Sequence, residues 1–104
     1  MSYIKSIMQE EHRRLQAFYQ KYNDKIYALP RGTVSIKKRH NSDYLYLACR
    51  RNGKVKFDYI GPVGSDKARQ VMEQVKTRKD YEKKLRQVKG DLKEIEKVIH
   101  GRKI

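Results

Sequence analysis

The chain has 104 residues and a formal net charge of +14, from 26 Lys+Arg against 12 Asp+Glu. No run approaches the 18 or more apolar residues of a transmembrane helix, and Met1 to Glu11 carries acids in place of a secretory signal's apolar segment. The single cysteine, Cys49, excludes an intrachain disulfide framework and a Cys-based zinc finger, so a cytoplasmic protein is expected.

Residues 3–28 predict a first helix. Ile4, Met8, Leu15, Phe18, Tyr22, Ile26 and Leu29 form one stripe at spacings of three, four and seven, interrupted at Glu11. Ser2 or Ser6 is placed to cap its start, Ser6 with Gln9 as a capping box. Pro30 and Gly32 end it, because proline disfavours helix in the residue before it.

Three strands follow in residues 33–60. Thr33–Arg39 alternates, with Val34 and Ile36 on one face; Tyr44–Arg51 is aromatic and leucine-rich; Lys54–Ile60 puts Val55, Phe57 and Tyr59 on one face. Asn52-Gly53 is a strong hairpin signal, and His40-Asn41-Ser42-Asp43 reads as the other turn. A two-residue Asn52-Gly53 loop pairs Arg51 with Lys54 and Arg50 with Val55. Tyr44, Tyr46, Ala48 and Arg50 then share a face with Val55, Phe57 and Tyr59; Leu45, Leu47, Cys49, Arg51, Lys54, Lys56, Asp58 and Ile60 take the other, and a bulge at the turn would shift the register by one and swap these partners. Neither face is cleanly polar, so the pattern leaves open which is buried.

Residues 66–100 predict a second helix. Ser65 is the expected N-cap, with Asp66 near the positive helix end. Tyr81, Leu85, Val88, Leu92, Ile95 and Ile99 repeat at alternating spacings of four and three, a heptad seam. Arg78 and Lys79 separate that seam from Val71, Met72 and Val75. Gly90 weakens the helix by about 1 kcal/mol relative to Ala. Helices of this length outreach a three-stranded sheet, so they must pair. The expected fold is α+β, one domain over residues 1–104, with two long antiparallel coiled-coil helices flanking a three-stranded antiparallel β-meander.

The charge points to a polyanion partner. Residues 32–65 hold seven basic and two acidic side chains, and basic side chains bind nucleic acid by displacing counterions from phosphates. The candidate nucleic-acid-binding set is Lys37, Lys38, Arg39, Arg50, Arg51, Lys54 and Lys56, with Tyr44 placed to stack on bases. The remaining sheet aromatics read as core, which so small a sheet needs. A second basic run, Lys76 to Lys89 on the second helix, reads equally as a track for a nucleic-acid backbone or an acidic partner surface and as a solvated coiled-coil exterior.

Catalytic, metal and cofactor sites are not expected. His12, His40 and His100 fall one to each segment, Glu10-Glu11-His12 has no second histidine at zinc-ligand spacing, and no phosphate-binding glycine motif occurs. Gly61-Pro62-Val63-Gly64 reads as a connecting turn, and Cys49 as a small strand hydrophobe.

Gly32-Thr-Val-Ser-Ile-Lys-Lys, Tyr44-Leu-Tyr-Leu, Arg50-Arg-Asn-Gly-Lys-Val-Lys and Tyr59-Ile-Gly-Pro62 carry two resemblances. With its flanking helices, this stretch resembles a family of small prokaryotic mobile-element proteins of unknown function built helix, three-stranded meander, helix. Residues 32–62 also resemble the three-stranded arm-binding domain of tyrosine recombinases and AP2-type domains. The second resemblance implies a sheet face that enters the DNA major groove, with no catalytic role.

The expected function is therefore non-enzymatic nucleic-acid binding, DNA ahead of RNA, by a phage or mobile-element protein. The alternative is a small inhibitor, antitoxin or anti-CRISPR-like, with a protein target among nucleic-acid-processing enzymes or with the nucleic acid of such an enzyme as its target. A homodimer through the helices is a further expected partner; a membrane is not, since the helix seam is narrow and the second helix lacks Trp and Phe.

Overall fold

The computed structural model describes residues 2–101. Its elements are α1 (Ser2–Tyr27), β1 (Thr33–Arg39), β2 (Ser42–Arg51), β3 (Lys54–Pro62) and α2 (Asp66–Ile99). The chain divides into two compact units: residues 28–79, which hold the sheet and the first half of α2, and residues 1–27 with 80–104, which hold the helix pair.

The sheet is an antiparallel meander in the order β1-β2-β3. Both hairpins turn on two residues with positive φ, His40 (50°) with Asn41 (66°) and Asn52 (51°) with Gly53 (78°). This geometry follows the right-handed strand twist. The first turn is tighter than the four residues the sequence suggests, because Ser42 and Asp43 already belong to β2. At the second turn Arg51 faces Lys54 and Arg50 faces Val55, the pairing expected from a two-residue loop. The register slips only at the far end of β3, where Tyr46 faces Tyr59 but Leu45 faces Gly61, leaving Ile60 as the extra residue of a bulge.

Leu45 and Leu47 are buried, and in the same unit so are Ala68 and Val75 of α2. These are the buried apolar side chains of that unit among the described residues. Each buried leucine contributes ~1.5–3 kcal/mol. Arg78 joins this interior: only 8% exposed, it donates from Nη1 to the carbonyl oxygens of Pro30 at 2.7 Å and Gly32 at 3.0 Å. In the sequence Arg78 interrupts an apolar pattern. In the fold it satisfies two backbone acceptors where the chain enters β1. Gly32 has φ of 108°, and a Cβ there would lie 2.8 Å from the Ala48 carbonyl oxygen, so glycine is required. Ser65 caps α2 as expected, accepting from the Ala68 amide at 3.3 Å, and Asp66 pairs with Arg69 one turn on.

In the other unit α1 and the second half of α2 run antiparallel. Tyr22 lies against Tyr81 with ring centroids 5.8 Å apart, the Lys89 ammonium sits 5.9 Å from the Tyr19 ring, and His12 bonds Glu96 at 3.0 Å. Leu15, Val88 and Ile95 are the buried centre, and Phe18, Tyr22 and Leu92 pack on it. The predicted seam of α2 is thus its inner stripe. The α1 stripe is shorter than its sequence pattern: Ile4 is 56% exposed. Ser6 caps nothing, because α1 already runs from Ser2, and the Ser2 side chain lies outside the described residues. Glu11, where the stripe is interrupted, accepts from Arg14 at 2.8 and 2.6 Å; that bond holds the Glu11 carboxyl below the usual carboxylate range and raises Arg14 in turn.

Candidate nucleic-acid interface

Strand parity sorts the sheet's side chains. The ladder places Thr33, Ser35, Lys37 and Arg39 of β1 beside Tyr44, Tyr46, Ala48 and Arg50 of β2 and Val55, Phe57 and Tyr59 of β3. This is the outward face, opposite the one that buries Leu45 and Leu47. Val55, Phe57 and Tyr59 stand 51%, 48% and 56% exposed along β3. The expectation that the sheet aromatics form core is therefore corrected, except that Tyr44 and Tyr46 are partly covered by their neighbours. Leu45 and Leu47 supply the buried side chains of the opposite face, where Ile36 at the β1 edge is itself exposed, and an antiparallel sheet can leave a face to solvent.

The rings on this face touch one another. Tyr46 meets Tyr59 edge to face at 5.4 Å, and Tyr44 lies 6.1 Å from Tyr59. The Lys37 side chain reaches across β2, its ammonium 3.9 Å from the Phe57 centroid and 5.0 Å from that of Tyr46. A cation over a ring face is attracted by the ring quadrupole, so Lys37 is held over the aromatic cluster.

The eight sequence-predicted residues do not form one cluster. Lys37, Arg39, Tyr44 and Arg50 lie on the outward face; Lys38, Arg51, Lys54 and Lys56 alternate to the other. The two turns are at opposite ends of the meander, so Arg39 and Arg50 are separated by ~25 Å of strand. Both acids of the sheet also fall on the inner side. Asp43 faces Lys38 across the ladder, and Asp58 accepts from Arg51 at 2.8 Å. The outward face therefore carries three cations, four aromatic rings and no carboxylate. Its alternation is visible in the sequence, but Tyr46, Phe57 and Tyr59 gain their meaning only once the buried face is known.

A second feature lies at the β2–β3 end of the same unit. An open depression of about 740 Å³ is lined by Arg31, Arg50 and Arg51 together with Gly32 and Cys49. Arg31 belongs to no motif and reaches this group through the connection from α1 to β1. Cys49 is half-buried, with its thiol directed at the Arg31 carbonyl at 3.2 Å. Among the described residues, no three His, Cys, Asp or Glu side chains are grouped as metal ligands, and no helix is long and apolar enough to cross a membrane.

Residues 8–70 match the family described as domain of unknown function DUF6788, which is more than half of the chain. The chain belongs to this family. No curated protein and no solved structure matches it. The DUF6788 stretch contains all three strands and so the whole outward face, whereas most of α2 lies beyond it.

Proposed function

We propose that this DUF6788 protein binds nucleic acid without catalysing a reaction, and that the outward sheet face is the contact surface. The observation that carries this reading is the charge sorting: Lys37, Arg39 and Arg50 share a face with exposed rings, and both sheet carboxylates are on the other side. Such a face attracts phosphates, releases their counterions and presents π-surfaces to bases. A net charge of +14 adds long-range attraction for a polyanion. The resemblance of residues 32–62 to the arm-binding domain of tyrosine recombinases points the same way, and makes DNA of a phage or other mobile element, in the cytoplasm, the first ligand to examine.

The test is a fluorescence-anisotropy titration with labelled DNA across a salt series. Arg39→Glu with Arg50→Glu is expected to weaken binding and to flatten the dependence of log K on log salt by about 1.5, from two lost phosphate contacts. The paired control, Lys54→Glu with Lys56→Glu on the other face, is expected to leave most of the slope. Equal effects of the two pairs would reassign the surface; no binding at low salt would remove the reading.

A further inference from the structure

We infer that the outward face takes unpaired nucleic acid, single-stranded DNA or RNA, with successive bases stacking on Phe57 and Tyr59. This deepens the nucleic-acid reading above and rests on it.

The first argument is spacing. Phe57 and Tyr59 are two residues apart on one strand and point the same way, so their Cα atoms are ~6.7 Å apart. Bases stacked in a duplex are ~3.4 Å apart. A strand laid along β3 with one base on each ring must therefore be opened to about twice the duplex rise, which a single strand does readily and a duplex does not.

The second argument is what the face offers. Base pairs in a groove present edges, and edges are read by Arg, Lys, Asn or Gln. Here the centre of the face is Ser35, Tyr46, Ala48, Phe57 and Tyr59, with Arg39 and Arg50 toward the margins and the Lys37 ammonium laid over the central rings from β1. The middle presents ring surface, which suits the flat face of a base, and a base exposes that face only when unpaired. The cations at both ends of the meander then meet the phosphates on either side of the stacked bases. Lys37, 3.9 Å from the Phe57 centroid, is on a long flexible stem and swings to a phosphate as a base takes its place on the ring.

The third argument is exposure. Val55, Phe57 and Tyr59 form a contiguous apolar strip, each about half exposed. Such strips on a soluble surface mark binding sites. The strip shares its face with cations, while the neighbouring carboxylate, Asp58, alternates to the other face and accepts from Arg51; a polyanion with aromatic bases complements a face that is both apolar and cationic.

The experiment uses the whole chain with fluorescein-labelled oligonucleotides of one sequence as single-stranded DNA, single-stranded RNA and duplex DNA. The chain has eight tyrosines and no tryptophan, so tyrosine emission is an independent readout, with inorganic polyphosphate as the probe that has charge but no bases. At least one single strand is expected to bind tenfold or more tightly than the duplex and to quench tyrosine emission, while polyphosphate binds without quenching. Tyr59→Ala is expected to weaken the single strand by about tenfold, in keeping with the contribution of one stacked base, and to leave duplex affinity unchanged. Tyr59→Phe is expected to retain binding. Phe57→Ala is the second variant; both positions are half exposed, and circular dichroism verifies that each variant folds. Duplex binding as tight as single-strand binding and indifferent to Tyr59→Ala overturns this inference while leaving the nucleic-acid reading intact. Failure of all three oligonucleotides to bind at low salt overturns both.

Discussion

In the helix pair, Tyr22 stacks on Phe18 and faces Tyr81 across the seam, so these rings line the interior. In the sheet unit, Phe57 and Tyr59 project from the surface, and the interior is Leu45, Leu47, Ala68 and Val75. The same residue types serve as filling in one unit and as surface in the other. The cause is geometric. A pair of helices meets along a narrow stripe and needs long side chains to fill it. A three-stranded sheet with a helix on one side buries one face only, and small aliphatic residues suffice there. Ring content alone therefore says little about core; ring parity within the register decides it.

The comparison breaks most visibly at Arg78, the one buried charge among the described residues, which belongs to the sheet unit's aliphatic interior. Arg78→Ala removes the donor to the Pro30 and Gly32 carbonyls and is expected to cost about 3 kcal/mol, since each bond to a charged donor contributes ~1.5–3 kcal/mol. Urea denaturation measures it; an unchanged midpoint would mean that the carbonyls find other donors and that the interior is held by its apolar side chains alone.

A matched pair of ring deletions sharpens the comparison. Tyr22→Ala in the helix pair is expected to destabilise by about 2 kcal/mol, as a part-buried aromatic truncation. Tyr59→Ala on the sheet is expected to stay within about 0.5 kcal/mol, as a surface substitution does. Equal losses in thermal unfolding would show that the sheet rings are structural after all.

One expected effect has the opposite sign. Gly90 lies on α2 with open space where a Cβ would stand, so Gly90→Ala is expected to stabilise the helix by about 1 kcal/mol. A loss of stability in calorimetry would instead point to a required close approach at that position.

Much of this fold is legible in the chain because its turns are chemically explicit. Asn52-Gly53 sets the β2–β3 register, and Ser65 marks the start of α2. The heptad seam from Tyr81 to Ile99 names the inner stripe of α2. What the sequence leaves open has a common origin: both sheet faces mix apolar and charged residues, so alternation separates two sets without saying which one is covered. That choice depends on α2, whose Ala68 is too small to announce an inner face and whose Arg78 looks like an interruption. For the same reason the basic set reads as a single cluster along the chain, although parity divides it between two faces. Ile4 continues the α1 pattern arithmetically but lies beyond the part of the stripe that is buried.

The helix pair joins residues from the two ends of the described chain, and this has a consequence in time. During synthesis, α1 emerges first of the five elements with Leu15, Phe18 and Tyr22 on its surface, and the residues that cover them, 81–99, follow only after the whole sheet. At about 5–20 residues per second, that interval is roughly 3–15 s. The sheet unit draws its contacts from residues 28–79 and closes meanwhile. On the ribosome, then, α1 emerges before the other four elements and is the last of them to be sheltered, and the exposed Arg13, Lys21 and Lys25 along it give the waiting helix a charged side.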